Sequence, residues 1–199
     1  MQIGIIDTST ANIASVCFAL ERLGASYGLC KSPQDADGAE RLILPGVGAA
    51  QAAMDQLNVS GWSKALQSET RPLLGVCLGM QLLFEWSEES DCDLLNLVPG
   101  RVERLDPGAD GPWPHMGWNT LEGLKPDEPL LRDVDEKSHV YFVHGFFVRG
   151  GPHTIAHTQY GSRVSAIVRR GNVMGCQFHP ERSAAVGARI LQNFLEDDL

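Results

Sequence analysis

The chain has 199 residues, enough for one domain with a substantial core and short for two. Hydrophobic residues at 43% and charged residues at 21% are the proportions of a globular protein and argue against a disordered or fibrous one. Sixteen Lys and Arg against 25 Asp and Glu give a formal charge of −9, which repels phosphate backbones and anionic membrane surfaces and argues against nucleic acid as a primary ligand.

The N-terminus has no basic leader and opens on a short apolar strand, Ile3 to Ile6. Ile13, Val16, Cys17, Leu20 and Leu23 then recur at helical spacing up to Gly24. Ser26 to Cys30 and Arg41 to Leu44 read as strands, Ala49 to Leu57 and Trp62 to Ser68 as helices, and Pro72 to Val76 as a buried strand. Such alternation implies parallel strands covered by helices. The predicted fold is therefore α/β, a single domain over 1–199 with a mixed, largely parallel sheet flanked by helices. From Pro99 to His179 the segments become short and β-rich, notably Val140 to Val143, Val164 to Val168 and Asn172 to Phe178, which predicts an antiparallel or mixed extension of the sheet. Asp106 to Pro114 reads as a loop free to move, and a last helix presents Val186, Ile190, Leu191, Phe194 and Leu195 before an acidic tail. The acidic run from Glu88-Glu89 to Asp93 reads as solvated surface. No apolar run reaches a membrane span, so a cytoplasmic protein is expected. The five cysteines, Cys17, Cys30, Cys77, Cys92 and Cys176, include no C-x-x-C spacing. Neither a disulfide framework nor a zinc site is supported, and no metal or cofactor is expected.

Gly75-Val76-Cys77-Leu78-Gly79 joins a buried strand to a predicted helix, Leu78 to Phe84, with the thiol at the junction. This is the thiol form of a nucleophile elbow, in which flanking glycines permit a tight turn and leave the nucleophile exposed. Helix-terminal N–H groups there favour a thiolate, and the Leu78 N–H faces a developing oxyanion. A buried, inert cysteine is the alternative, and the two weigh about evenly. The base expected is His179 in Phe178-His179-Pro180-Glu181. Pro180 keeps this segment extended so that His179 and Glu181 project to one side, and Glu181 orients the imidazole. The order nucleophile, base, acid differs from that of the longer nucleophile-elbow hydrolases. Pro45-Gly46-Val47-Gly48 follows a strand and reads either as a simple turn or, together with Cys77, as a second oxyanion donor through the Val47 N–H.

The set Pro45 to Gly48, Gly75 to Gln81 and Phe178 to Glu181 resembles the class I (triad) glutamine amidotransferases. Within that class, Pro114-His115-Met116-Gly117-Trp118-Asn119, Tyr141-Phe142-Val143-His144 and His179 to Ser183 look like blocks of the glutaminase subunits of imidazole glycerol phosphate synthases. The resemblance spans Ile3 to Phe194. It implies hydrolysis of glutamine to glutamate and ammonia, with the ammonia passed to a (β/α)₈ cyclase subunit in a heterodimer of histidine biosynthesis. It further implies Cys77 as nucleophile, His179 as base and Glu181 as its carboxylate, Val47 and Leu78 as oxyanion amides, and Gly48 and Gln81 as glutamine contacts. Asn12, Met116, Trp118, Tyr141 and Arg182 match positions at or near the partner-facing surface. For Trp118 and Tyr141 core packing is an equally weighted alternative, and for Arg182 a solvated arginine is the commoner reading. The Gly46-Val47 peptide is expected to reorient when the partner is occupied, giving low activity alone.

Two departures stand out. Asp7 to Asn12 lacks the two glycines and the aromatic ring usual in that loop, which reads as a changed partner-side loop. Gly145 and Phe146 replace the usual Ser and Tyr after His144, which is tolerable if that serine meets glutamine only through its backbone and weakens glutamine binding if its side chain takes part. The readings that compete are a triad glutaminase serving anthranilate, guanylate or pyridoxal phosphate synthesis, and a non-catalytic regulatory subunit on the same fold.

Overall fold

The computed structural model describes residues 2–8 and 13–196. Strand β1 (Gln2–Ile6) leads to helix α1 (Ile13–Arg22), β2 (Ser26–Cys30), β3 (Arg41–Gly46), α2 (Ala50–Ser60), α3 (Trp62–Leu66) and β4 (Leu73–Cys77). Gly24 at φ 71° follows the end of α1, and Gly61 at φ 82° separates α2 from α3. Both are left-handed positions that cost glycine little.

After β4 comes a single helical turn, α4 (Leu78–Gln81), shorter than the helix to Phe84 expected from the apolar run. Next come β5 (Trp86–Ser87), β6 (Cys92–Asp93), β7 (Arg101–Arg104), β8 (His115–Thr120), β9 (His139–His144), β10 (Phe146–Val148), β11 (Thr154–Tyr160), β12 (Ser162–Arg170), β13 (Val173–Cys176) and α5 (Ala184–Glu196).

The main sheet has seven strands in the order β11-β12-β13-β4-β3-β1-β2. The pairs from β13 to β2 are parallel, and β12 and β11 add an antiparallel edge. Its central strands β3 and β4 are buried along their whole length, as a sheet covered on both faces requires. Alternate residues serve opposite layers: Ile3, Ile5, Ile43 and Leu74 pack with α1 and α5, whereas Ile6, Leu42, Leu44 and Leu73 pack with α2 and α3. On α5, Ile190, Leu191, Phe194 and Leu195 are buried and Val186 partly so.

The expected antiparallel extension is β11 and β12. The other short strands form separate small sheets: β10-β7-β5-β6, and the pair β8-β9, which includes Val140 to Val143. The loop from Asp106 to Pro114 is anchored at three points. Tyr160 Oη donates to the Pro112 carbonyl at 2.7 Å, the Gly161 N–H to Asp110 Oδ2 at 2.6 Å and Trp113 Nε1 to the Gly145 carbonyl at 2.9 Å. Among the described residues, no helix is long and apolar enough to cross a membrane.

Candidate active site

Cys77 ends β4 at φ 55°, ψ −111°, a conformation that a residue with a side chain adopts only under strain. The strain is held by close packing of three glycines. A Cβ on Gly79 would lie 1.8 Å from the Leu44 carbonyl oxygen, and one on Gly75 2.6 Å from the Gly79 carbonyl oxygen. A Cβ on Gly46, which is paired in register with Cys77, would lie 2.7 Å from the Gly79 nitrogen. The glycines around Cys77 thus act through their missing side chains, and the unusual φ is carried by Cys77 itself. Since α4 is one turn, its dipole is small; local N–H groups are what remain to favour negative charge.

His179 lies just beyond β13 in extended conformation, φ −96°, ψ 98°, and its backbone N–H donates to the Tyr141 carbonyl at 3.0 Å. Pro180 does not keep the chain extended, as the sequence suggested. It begins a 3₁₀ turn, Pro180–Arg182, consistent with the preference of proline for first helical positions. This turn brings Glu181 back under the imidazole, with Nδ1 2.8 Å from Oε1 and both side chains buried. Nδ1 therefore holds the proton, and Nε2 is buried with no hydrogen-bond partner among the described residues. Burial opposes the imidazolium, but the adjacent Cys77 and Glu181 outweigh it and raise the His179 pKa to about 10.

Val47, Gly48, Cys77, Leu78, Gln81 and His179 line one cavity of about 350 Å³. Six residues named from sequence converge there, and Glu181 stands behind His179. Gly48 is at φ 91°, which glycine accommodates. Gln81 Nε2 donates to the Phe146 carbonyl at 2.8 Å and to Gln177 Oε1 at 3.0 Å, leaving its Oε1 as an acceptor. Met116 and Trp118 are 62% and 53% exposed, so neither belongs to the core. Tyr141 packs against Trp118 edge-on at 5.9 Å, on the same face of the β8-β9 pair. Arg182 is exposed, and Asn12 lies outside the described residues.

Two contributions were missed from sequence. Glu89, read as solvated surface, sits in the turn between β5 and β6 and lines the cavity. Its Oε2 accepts the Ala50 N–H at 2.8 Å, capping α2 from 39 residues away. No periodicity could have found it. The second is the Val143 carbonyl, which accepts the Cys77 thiol at 3.7 Å. The departure at Gly145 also finds its reason: a Cβ there would meet the Trp113 ring at 2.6 Å. A larger groove of about 670 Å³ runs along 124–134, but its lining includes no cysteine, histidine or serine.

A strained thiol at a strand end, a carboxylate-held imidazole and a cavity between them are the parts that a thiol-nucleophile enzyme on an α/β sheet would use. The model of the class-I glutamine amidotransferases matches residues 5–197, and the chain belongs to that family, whose members hydrolyse glutamine. It is 48% identical over 194 residues to the imidazole glycerol phosphate synthase subunit HisH of Xanthomonas campestris pv. campestris (strain 8004), covering 98% of this chain and 96% of that protein. To HisH of Xylella fastidiosa (strain Temecula1) it is 49% identical, covering 99% and 98%, and to HisH of Pasteurella multocida 46%, covering 98% of each. In fold it is similar to a solved glutamine amidotransferase, with TM-score 0.74, 22% identity and 98% and 97% of the two chains covered. It is similarly close to a chain of PurLQS from Thermotoga maritima, with TM-score 0.73, 22% identity and the same coverage.

Proposed function

We propose that the chain is the glutaminase subunit of imidazole glycerol phosphate synthase, acting in the cytoplasm as a heterodimer with a (β/α)₈ cyclase. The observation that carries the chemistry is the opening of Cys77 and the Glu181-held His179 onto one cavity. Near-half identity to HisH relatives along almost the whole chain supports the choice of synthase.

Glutamine enters with its α-ammonium toward Glu89 and its α-carboxylate near the Gly48 backbone, while Gln81 Oε1 accepts a further substrate N–H. His179 Nε2 takes the thiol proton, and the Cys77 thiolate attacks the side-chain amide carbon. The oxyanion of the tetrahedral adduct is held by the Leu78 N–H and, once the Gly46-Val47 peptide has reoriented, by the Val47 N–H. The imidazolium returns its proton to the leaving nitrogen, ammonia departs, and a thioester to Cys77 remains. Water, deprotonated by the same imidazole, cleaves that thioester and releases glutamate. Glu181 holds the Nδ1–H throughout. Ammonia leaves toward the face bearing Met116, Trp118 and Tyr141, where the cyclase docks.

The test is glutamate release by the wild type and by Cys77→Ala, each alone and with the cyclase and its ribulosyl ligand. Activity that requires the liganded partner and disappears in Cys77→Ala is expected. Full activity in Cys77→Ala, or activation by a chorismate-using partner instead, would overturn the reading.

A further inference from the structure

Gln81 and His144 converge on one acceptor. The Phe146 carbonyl oxygen lies 2.8 Å from Gln81 Nε2 and 2.9 Å from His144 Nδ1. A carbonyl only accepts, so His144 carries its proton on Nδ1 and, as a neutral ring, offers Nε2 as an acceptor. His115 Nδ1 is 3.0 Å from that Nε2 and must donate to it. His115 Nε2 is then left to accept from Asn119 Nδ2, which is 3.3 Å away. One sense of donation satisfies every link: Asn119 to His115, His115 to His144, His144 to the Phe146 carbonyl.

The frame around this chain is rigid. His115 and His144 are directly paired across β8 and β9, and both are buried. The His115 ring is stacked between Phe142, at 4.7 Å and 20°, and Tyr160, at 3.9 Å and 16°. Burial lowers His115 to about 4, and burial with the adjacent His115 lowers His144 to about 3, so both stay neutral. The chain also connects two cavities. His115 and Asn119 line an outer one of about 420 Å³ beside Met116 and Trp118, and His144 lines the cavity of Cys77.

We propose that His115 and His144 are positioning residues for glutamine binding: their hydrogen-bond chain fixes the Phe146 carbonyl, hence the Gln81 amide, and ties the outer face of β8 to the glutamine cavity. This rests on the reading of that cavity as the glutamine site. Histidines that merely filled space would be replaceable by any ring of similar size.

Two variants separate these roles. His115→Phe keeps the stack between Phe142 and Tyr160 but leaves His144 Nε2 a buried acceptor without a donor. His115→Asn loses the stack but keeps an amide N–H in the place of Nδ1–H. The readout is the glutamine Kd by calorimetry in a Cys77→Ala background with the cyclase subunit present, beside the Tm of each variant. We expect His115→Phe to weaken binding about tenfold and His115→Asn to stay within about threefold, although His115→Phe has the higher Tm of the two. Binding that follows Tm, or is unchanged in both, overturns the proposal alone. A Cys77→Ala parent that does not bind glutamine removes the reading of the cavity and this proposal with it. Independently, ¹⁵N NMR of the full chain must show both imidazoles as neutral Nδ1–H tautomers at pH 7; an Nε2–H tautomer at either overturns it.

Discussion

The Cys77 thiol donates to the Val143 carbonyl at 3.7 Å, while His179 Nε2, in the same cavity, has no hydrogen-bond partner among the described residues. Val143 belongs to β9, whose Tyr141 carbonyl also holds the His179 backbone N–H. The edge of β9 away from β8 therefore touches both Cys77 and His179, and its outer face carries the exposed Trp118-Tyr141 contact. A neutral thiol is what a carbonyl acceptor favours. Reaction requires Sγ to turn from Val143 to His179.

Docking on the β8-β9 face is expected to release this resting contact. Glutamate release by the full chain with the cyclase present should exceed that of the chain alone by at least about tenfold, or about 1.4 kcal/mol of barrier. Trp118→Ala should weaken cyclase affinity by about 1–2 kcal/mol, as central aromatic anchors do, and should shift unfolding by less than about 0.5 kcal/mol because the ring is largely exposed. Equal rates with and without cyclase contradict the first expectation, and unaltered affinity the second.

Backbone strain at Cys77 predicts an inversion of the usual glycine penalty. Cys77→Gly relieves φ 55°, ψ −111° and should unfold about 1 kcal/mol harder than Cys77→Ala, both being inactive. Denaturant titration of the two variants decides this; a less stable glycine variant would show that the elbow is unstrained.

The raised pKa of His179 sets a direction for stability against pH. Its folded value, about 10, lies above the 6.5 of a free imidazole. The folded state therefore holds a proton that the unfolded chain has lost between these values, and stability falls as pH rises from 6.5 through about 10. Glu181→Gln removes one of the charges that sustain the shift and should flatten the fall. Thermal unfolding of both proteins at pH 6 and pH 9 tests it; parallel declines would assign the pH dependence elsewhere.

Close packing of α4 on β3 makes Gly79 intolerant of any side chain. With a Cβ placed 1.8 Å from the Leu44 carbonyl oxygen, Gly79→Ala should cost more than about 3 kcal/mol. Gly24→Ala, where φ is 71° and nothing lies within 4 Å, should cost only about 1 kcal/mol. Chemical unfolding of both variants gives the comparison, and similar losses would contradict the packing argument.

Glu89 offers a separable test of glutamine recognition. Glu89→Gln keeps an amide oxygen to cap the Ala50 N–H and removes the charge facing the cavity. We expect glutamine KM to rise about tenfold or more with Tm changed by only a few degrees, since a charged hydrogen-bond partner contributes about 1.5–3 kcal/mol. An unchanged KM would place the α-ammonium elsewhere.

Much of the chemistry was legible in the chain because it is local. Gly75 to Gly79 encodes a strand end, the Cys77 thiol and the backbone that surrounds it within five residues, and His179 and Glu181 are two residues apart. Alternation of apolar runs with helical periods determined the α/β class, since fully buried strands and one-sided helices leave direct marks in the order of residues. Even here Pro180 acts differently from its local reading: it turns the chain where the sequence suggests extension, and His179 and Glu181 meet through that turn.

What only tertiary structure decided is everything that joins distant segments. Trp118 packed inside or exposed are equivalent in sequence, and the separation of β8-β9 from the main sheet exposes it. Glu89 looks like any surface carboxylate until the β5-β6 turn brings it to the start of α2. The Val143 carbonyl has no side-chain identity to read, and 66 residues separate it from the thiol it holds. The His115-His144 contact needs a cross-strand register that no local pattern specifies. Local propensity records which conformations a segment can adopt, whereas these contacts depend on which surfaces the core, once packed, leaves facing one another.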